Sequence, residues 1–222
     1  MKYLTWLVLA ISVFFSYFFI NRFMGTFSFL VFFFKILADI GIFSSVKYSE
    51  FEFKDSYMWY KDYEGSYKKI YTAFMELQSV FKKLNLDQTK YFTFGIYHDD
   101  PKKCDPDKCK AIVGIMRYDN NSNKTTDELI SDLNMFKNEK KVKSFKTLIS
   151  RLPCFNFFSI FIAIQKYYPR LETKMSELTN KYDLSSIPGI MELYSPDYID
   201  FHIPLENYEE LPTHSNFSKK TN

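Results

Sequence analysis

The chain has 222 residues, 46% of them hydrophobic and 25% charged, which suits one domain of ordinary size plus an anchor and leaves too little for two full domains. Its formal net charge of +3 is small and evenly spread, so composition argues against nucleic acid as a direct partner.

The amino terminus predicts a transmembrane anchor in residues 1–22. Leu4 to Ile20 carries no charge over about 17 residues, which is the lower limit for a helix that crosses a bilayer. Asn21 and Arg22 close this run without the small residues of a signal-peptide cleavage site. We therefore expect the segment to stay attached.

A second apolar run, from Phe23 to Leu37, is interrupted by glycine and polar residues. It extends the anchor, lies at the membrane interface, begins the first strand, or returns as the second span of a hairpin. We assign residues 23–45 to an apolar juxtamembrane segment.

Positive charge predicts the orientation of the anchor. Lys2 alone precedes the span, whereas Arg22, Lys35 and Lys47 follow it, which places the carboxyl side in the cytosol. Three N-glycosylation sequons test this orientation, at Asn120, Asn123 and Asn216. They would be glycosylated if the body lay in the lumen.

The three cysteines are Cys104, Cys109 and Cys154. An odd number without C-x-x-C spacing indicates reduced thiols and a mild preference for the cytosol, although the first two can pair across their loop.

Hydrophobic periodicity predicts that the body repeats one pattern. Alternating aromatic and polar residues between Val46 and Tyr63 indicate one or two strands, and the spacing of three and four from Tyr67 to Leu84 indicates an amphipathic helix. Two apolar runs around Phe94–Tyr97 and Ala111–Gly114 then predict paired strands.

The second half follows the same order. Its predicted elements are a strand in Lys143–Leu152, a helix from Phe155 that continues beyond Pro169 to Leu178, and strands at Ile190–Tyr194 and Ile199–Ile203, with a separate helix at Thr125–Phe136 before them. Two strand-helix-strand-strand units predict an α+β domain with antiparallel sheets over residues 46–205, followed by a short polar tail at 206–222.

Two further runs belong to this body. Phe155–Ile164 is very apolar but has only about 10 residues, too short to span and suited to a buried helix. Lys137–Lys146 is a basic cluster, which we interpret as a solvated connection, the alternative being a contact with anionic headgroups.

The loop between the first paired strands carries a resemblance to known families. Gly95-x-Tyr97-x-Asp99-x-Pro101 followed by a second strand resembles the gyrase-inhibitor-like (GyrI-like) small-molecule-binding domain. The sequence from Pro106-Asp107-Lys108-Cys109 to Val113-Gly114 resembles that of the testis-expressed protein 264 family of membrane-anchored reticulophagy receptors. The resemblance runs from about residue 57 to 205 and implies paired strand-helix-strand-strand units with a pocket between them.

Glu192 and Tyr194 are the candidate pocket residues. They alternate with Leu193 on a predicted strand, so both side chains point to one side. The resemblance implies a pocket carboxylate here that pairs with a small hydrophobic or cationic ligand. The alternative is an exposed carboxylate on an edge strand.

Catalytic and metal motifs are missing from the sequence. His98, His202 and His214 do not form a metal-ligand spacing, and no phosphate-binding glycine loop or nucleophile elbow occurs. We expect neither an enzyme nor a cofactor, although a few GyrI-like proteins are hydrolases.

The segment Tyr208-Glu209-Glu210-Leu211 matches peptides that add a strand to autophagy ubiquitin-like modifiers. The alternative is that Tyr208 and Leu211 merely finish the fold. The resemblance implies a single-pass adaptor of the endoplasmic reticulum membrane, and also of the nuclear envelope, with a p97-type unfoldase as a further partner. The second hypothesis is a membrane-tethered small-molecule-binding protein without receptor activity.

Overall fold

The body is an antiparallel sheet of eight strands with helices on its outer face, which confirms the predicted α+β class. The computed structural model describes residues 2–121, 124–184 and 186–215. The elements are α1 (Lys2–Asp39), β1 (Ser49–Phe53), β2 (Ser56–Glu64), α2 (Tyr71–Leu84), β3 (Tyr91–Tyr97), β4 (Lys110–Tyr118), α3 (Lys124–Ser131), β5 (Asn138–Val142), β6 (Phe145–Pro153), α4 (Phe157–Leu178), β7 (Ile190–Tyr194) and β8 (Tyr198–Glu206).

Helix α1 runs through both apolar segments of the amino terminus without a break. Arg22, which we expected to close the anchor, lies in the middle of the helix, so the second run continues the first. The portion Ile11–Asp39 is long and apolar enough to cross a membrane by length and composition, and none of it is buried against the body.

The two predicted units are β2-α2-β3-β4 and β6-α4-β7-β8. The strand order β1-β6-β8-β7-β3-β4-β2-β5 joins them through β3 and β7 at the centre of the sheet. Pro169 lies inside α4 without ending it. Strand β5 corrects the interpretation of the basic cluster as a solvated connection, because its Asn138–Val142 pairs along β2.

The two units are joined by two long segments, β1–β2 and β5–β6, that pair with each other. β1 continues into β2, and β5 into β6, each through a connection of two residues. One register runs through both ladders, since Phe53 faces Phe145 across β1 and β6 while Ser56 faces Val142 across β2 and β5. The ring of Phe53 stacks on that of Phe145 with centroids 4.7 Å apart. This ribbon curls the sheet and brings its two ends together.

The curled sheet has an inner and an outer face. Along β3, Phe92, Phe94 and Ile96 belong to a core inside the curl, whereas α2 and α4 cover two separate apolar clusters on the outside. Outward-pointing residues of β3 and β7 therefore lie where the two helices meet the middle of the sheet.

The cysteines differ from the expectation. Cys104 and Cys109 form a disulfide across the loop between β3 and β4, so they are not the reduced thiols that we predicted, while Cys154 is free and buried. The cysteines therefore no longer support a cytosolic body.

The apolar run at the start of α4 is also a correction. We expected Phe155–Ile164 to be a buried helix, but Phe155, Phe158 and Phe161 are 54%, 70% and 56% exposed. Ser159 and Ala163 form the face that packs on the body. The segment is apolar on both faces, and only one of them is covered by the domain.

Candidate functional site

The candidate site is built on the two central strands. In the ladder between β3 and β7, Gly95 lies directly opposite Glu192. Tyr97 and Tyr194 are the last residues of these two strands, which occupy equivalent places in the two units. Because side chains alternate along a strand, all four positions share the outer face.

Glu192 is a buried carboxylate, only 1% exposed, on a central strand. This excludes the alternative of an exposed side chain at a sheet edge. The Tyr168 hydroxyl of α4 donates to Glu192 Oε1 at 2.6 Å, and the Tyr194 hydroxyl donates to Oε2. Both carboxylate oxygens are thus held by phenols.

Five half-buried aromatic rings surround this carboxylate. The hydroxyls of Tyr97 and Tyr194 are 3.4 Å apart. Tyr67 meets Tyr97 edge to face with centroids 5.1 Å apart, and Phe74 of α2 meets Tyr194 in the same way at 5.0 Å. The rings come from both helical flanks of the sheet, so they enclose Glu192 in an aromatic cluster.

Gly95 leaves room for one of these rings. A Cβ at this position would lie 2.9 Å from the ring of Tyr97, closer than real Cβ contacts allow. The bare backbone lets the Tyr97 ring lie over β3 and brings its hydroxyl to Tyr194.

Burial raises the pKa of Glu192, and hydrogen bonds from Tyr168, Tyr194 and Tyr97 oppose this increase without cancelling it. No lysine or arginine of the described chain is among the groups that shift it. Burial, followed by the nearby charge of Glu192, also raises the pKa values of these tyrosines well above the ordinary range. The site therefore holds a carboxyl group that gains a full charge most readily when a cation arrives.

Sequence reasoning found Glu192 and Tyr194 and did not assign Tyr67, Tyr97 or Tyr168 to the site. Tyr97 had a usable signal, because β3 and β7 both end in tyrosine at equivalent places in the repeat. Tyr168 lies on α4 and reaches Glu192 through the tertiary fold, for which the local pattern carries no signal.

The histidines lie outside this aromatic cluster. His98 Nδ1 contacts the Pro188 carbonyl, and the backbone N–H of His214 donates to His98 Nε2 at 3.1 Å. His202 is buried inside the curl with neither ring nitrogen hydrogen-bonded. Within the described ranges, no group of three or more His, Cys, Asp or Glu side chains is arranged to hold a metal.

The tail motif is folded onto the body. Asn207 takes a left-handed conformation (φ 58°) after β8 and turns the chain back. Tyr208 is 8% and Leu211 2% exposed, and both belong to the core inside the curl. In the folded state Tyr208 and Leu211 are therefore buried, whereas Glu209 is exposed.

Comparisons with known proteins agree with the resemblance in the loop. No family model matches the chain. Over 150 residues, 66% of this chain, it is 29% identical to testis-expressed protein 264 of Homo sapiens and to the homolog of Mus musculus. The match covers 43% and 44% of those proteins, so the chain spans less than half of their length.

Among solved structures, the chain is similar to the EcmrR C-terminal domain, with a TM-score of 0.47, 12% identity, and coverage of 73% of this chain and 98% of that one.

Proposed function

We propose that the body of this chain, which is similar in sequence to testis-expressed protein 264, is a non-catalytic binding domain for small hydrophobic cations, tethered to a membrane by α1. The observation that carries the proposal is the buried Glu192, held by tyrosine hydroxyls and walled by aromatic rings.

The chemistry of the aromatic cluster selects its ligand. Among the described residues no lysine or arginine contributes to the pKa shift of Glu192, so this buried carboxylate is costly when ionised, and an entering cation would remove that cost. Aromatic faces attract cations through their quadrupoles and bury apolar ligand surface. A delocalised cation with an aromatic or aliphatic body compensates the charge of the carboxylate and also packs against the aromatic rings. A neutral molecule of the same shape only packs against the rings, and an anionic one is repelled by the ionised carboxylate.

The test is titration of the detergent-solubilised full chain with tetraphenylphosphonium. Glu192→Gln keeps the shape and removes the charge, so we expect at least about tenfold weaker binding, the equivalent of one charge interaction of about 1.4 kcal/mol. Glu206→Gln is the matched control, because it neutralises an exposed carboxylate that pairs loosely with Lys146. Equal affinity of Glu192→Gln and the parent would remove the proposal.

Two further measurements distinguish recognition of the ligand's charge from recognition of its shape. Tetraphenylborate has the same shape and the opposite charge, so specific binding should be absent in both parent and variant. The raised pKa of Glu192 also predicts that parent affinity for tetraphenylphosphonium increases with pH, because binding favours the ionised carboxylate. An affinity that does not change with pH would contradict the role of the charge.

For the location, we propose the endoplasmic reticulum membrane, the nuclear envelope included, with the body in the cytosol. Positive charges after the predicted span support this side, whereas the Cys104–Cys109 disulfide is of a kind that persists in oxidising compartments. Asn120 is exposed, while the other sequons, Asn123 and Asn216, lie outside the described residues. We expect no mobility shift on glycosidase treatment, and a shift would place the body in the lumen.

A second candidate function is an adaptor role in reticulophagy through Tyr208–Leu211. The position of the segment supports it, since the segment follows β8 and is not a strand of the sheet, so its release leaves all eight strands paired. The bonds to be broken include Tyr208 hydroxyl to Ser186 hydroxyl at 2.8 Å and Lys143 N–H to Glu210 Oε2 at 3.1 Å. Autophagy ubiquitin-like modifiers, and through the same adaptor role a p97-type unfoldase, are the proposed partners.

The adaptor role requires that loosening the segment increases capture. His98→Ala removes the acceptor of the His214 N–H and should raise capture of the full chain by a lipidated autophagy modifier. Adding Tyr208→Ala and Leu211→Ala to this variant should abolish capture. Capture that is equal in parent, single variant and triple variant would leave Tyr208 and Leu211 with a structural role alone.

A further inference from the structure

The first turns of α4 present an apolar surface that the body leaves uncovered. Phe155, Phe158 and Phe161 are each more than half exposed, while Ser159 and Ala163 occupy the opposite, packed face. Three large aromatic side chains so close together exceed the scattered apolar residues of an ordinary surface and indicate an interaction site.

The carboxyl end of α1 is attached beside this surface. Lys166 of α4 donates through Nζ to the carbonyls of Gly41 at 2.6 Å and Ser44 at 2.7 Å, and also to that of Ile42. Lys166 follows Phe161 by five residues, about 7.5 Å along the helix axis. The chain that leaves α1 is therefore held to α4 within two helical turns of Phe161, the last of the three phenylalanines.

A second contact fixes the same junction from the other side. Gly41 has a left-handed backbone (φ 84°) just after α1, and the ring of Pro153 lies against it, 3.5 Å from where a Cβ would stand. Pro153 precedes Phe155 by two residues. Contacts with the end of α1 thus flank the phenylalanine surface at both ends.

Apolar exposure continues from α1 onto the body. Within the candidate span, Ile36 is 40% exposed, and after the helix Ile42 and Phe43 are 41% and 61% exposed. Phe43 stacks with Phe34 of α1, with ring centroids 6.4 Å apart. The 29 residues of the candidate span measure about 43 Å as a helix, more than the roughly 30 Å of a hydrocarbon core, so apolar side chains extend into the headgroup region.

We propose that Phe155, Phe158 and Phe161, with Ile42 and Phe43, form a membrane-contact surface that inserts into the interface of the bilayer holding α1. The occupant is the lipid itself, because the surface is continuous with the candidate membrane helix and the contacts of Lys166 and Pro153 hold the end of that helix beside it. Aromatic side chains are favoured at this depth, where their apolar bodies leave water. The contact would fix the orientation of the body on the membrane.

The test places a tryptophan reporter in the surface of the full chain, reconstituted in phosphatidylcholine vesicles. The background is Trp6→Phe, which leaves the fully buried Trp59 as the native fluorophore. Phe158→Trp should lose most of its added emission when the lipids carry bromine on their acyl chains. Met75→Trp is the matched control, since Met75 is 66% exposed on α2, and it should keep its emission.

Each other outcome overturns the proposal. An unquenched tryptophan at 158 would show that the surface stays in water, and equal quenching at 158 and 75 would show that the body has no fixed orientation. If a triple serine variant at Phe155, Phe158 and Phe161 abolished self-association of the reconstituted chain, and the reporter at 158 stayed unquenched, the surface would belong to a second copy. Thermal unfolding of each variant checks that the body still folds.

Discussion

His202 makes the fold sensitive to acid. Its ring lies inside the curl, 1% exposed, edge to face with Phe53 at 5.3 Å between centroids, and neither ring nitrogen has a hydrogen-bond partner. Burial, assisted by the positive charge of Arg151, lowers the pKa of His202 to about 3. The ring is therefore neutral in the folded protein, and protonating it destabilises the core in which it is buried.

The sign and size follow from proton linkage. The unfolded histidine takes up a proton below about pH 6.5, whereas the folded one does not until about pH 3, so stability falls as the pH falls between these values. The slope is about 1.4 kcal/mol for each pH unit. Because the unfolded histidine is already half protonated at pH 6.5, the loss from pH 6.5 to pH 4.5 is about 2 kcal/mol, a sizeable part of the 5–15 kcal/mol typical of a domain.

The assay compares urea unfolding of the parent and His202→Leu, both as detergent-solubilised full chains, at pH 6.5 and pH 4.5. Leucine keeps the site apolar and cannot be protonated, so the difference in unfolding free energy between the two proteins should shift by about 2 kcal/mol in favour of the variant at the lower pH. Glu192 and Asp200, whose pKa values burial raises, contribute equally to both proteins. A constant difference between the two pH values would refute the reasoning.

Three further predictions concern the stability of the body. Tyr208→Ala with Leu211→Ala should lower the free energy of unfolding by roughly 4 kcal/mol or more, measured by urea titration, because both side chains leave the interior of the curl. Arg117→Met should cost about 1–3 kcal/mol in the same assay, since Asp127, which now accepts from Arg117 Nε at 2.9 Å and from Nη2 at 2.6 Å, would lose the guanidinium and keep the Tyr91 hydroxyl at 3.2 Å. Glu192→Gln should become more stable relative to the parent as the pH rises from the ordinary glutamate pKa through the raised pKa of Glu192. The reason is that the folded parent holds this proton more tightly than the unfolded chain, so the parent loses stability over this pH range. A relative gain of the variant on acidification would contradict this sign.

The alternation of side chains made most of the body predictable. β7 and β8 follow runs in which aromatic and aliphatic residues recur at the strand period, and α2 follows a clear helical stripe. β5 could not be predicted in this way, because Asn-Glu-Lys-Lys-Val offers one buried residue, Val142. Its pairing comes from the register that β6 already has with β1, which is a tertiary effect.

The surfaces were harder to predict than the elements. Phe155–Ile164 is apolar on every side, so its sequence does not distinguish packing against a domain from contact with lipid. Periodicity identified Glu192 and Tyr194 as neighbours on one face, but the depth of Glu192 depends on Tyr168, 24 residues earlier on α4. A carboxylate becomes a buried site only when the helix above it is in place.

Tyr208 and Leu211 show why a short motif cannot decide its own role. Strand addition to a partner and packing onto the own domain require the same side chains, an aromatic and an aliphatic residue three apart. In the folded chain both are in the core, and returning them to water costs about 4 kcal/mol at 1.5–3 kcal/mol for each side chain. Since only the released fraction binds, the apparent affinity for a modifier would be about a thousandfold weaker than that of the free peptide. A peptide spanning 206–215 should therefore bind an autophagy modifier far more tightly than the folded chain does, and equal affinities would mean that the segment is already released.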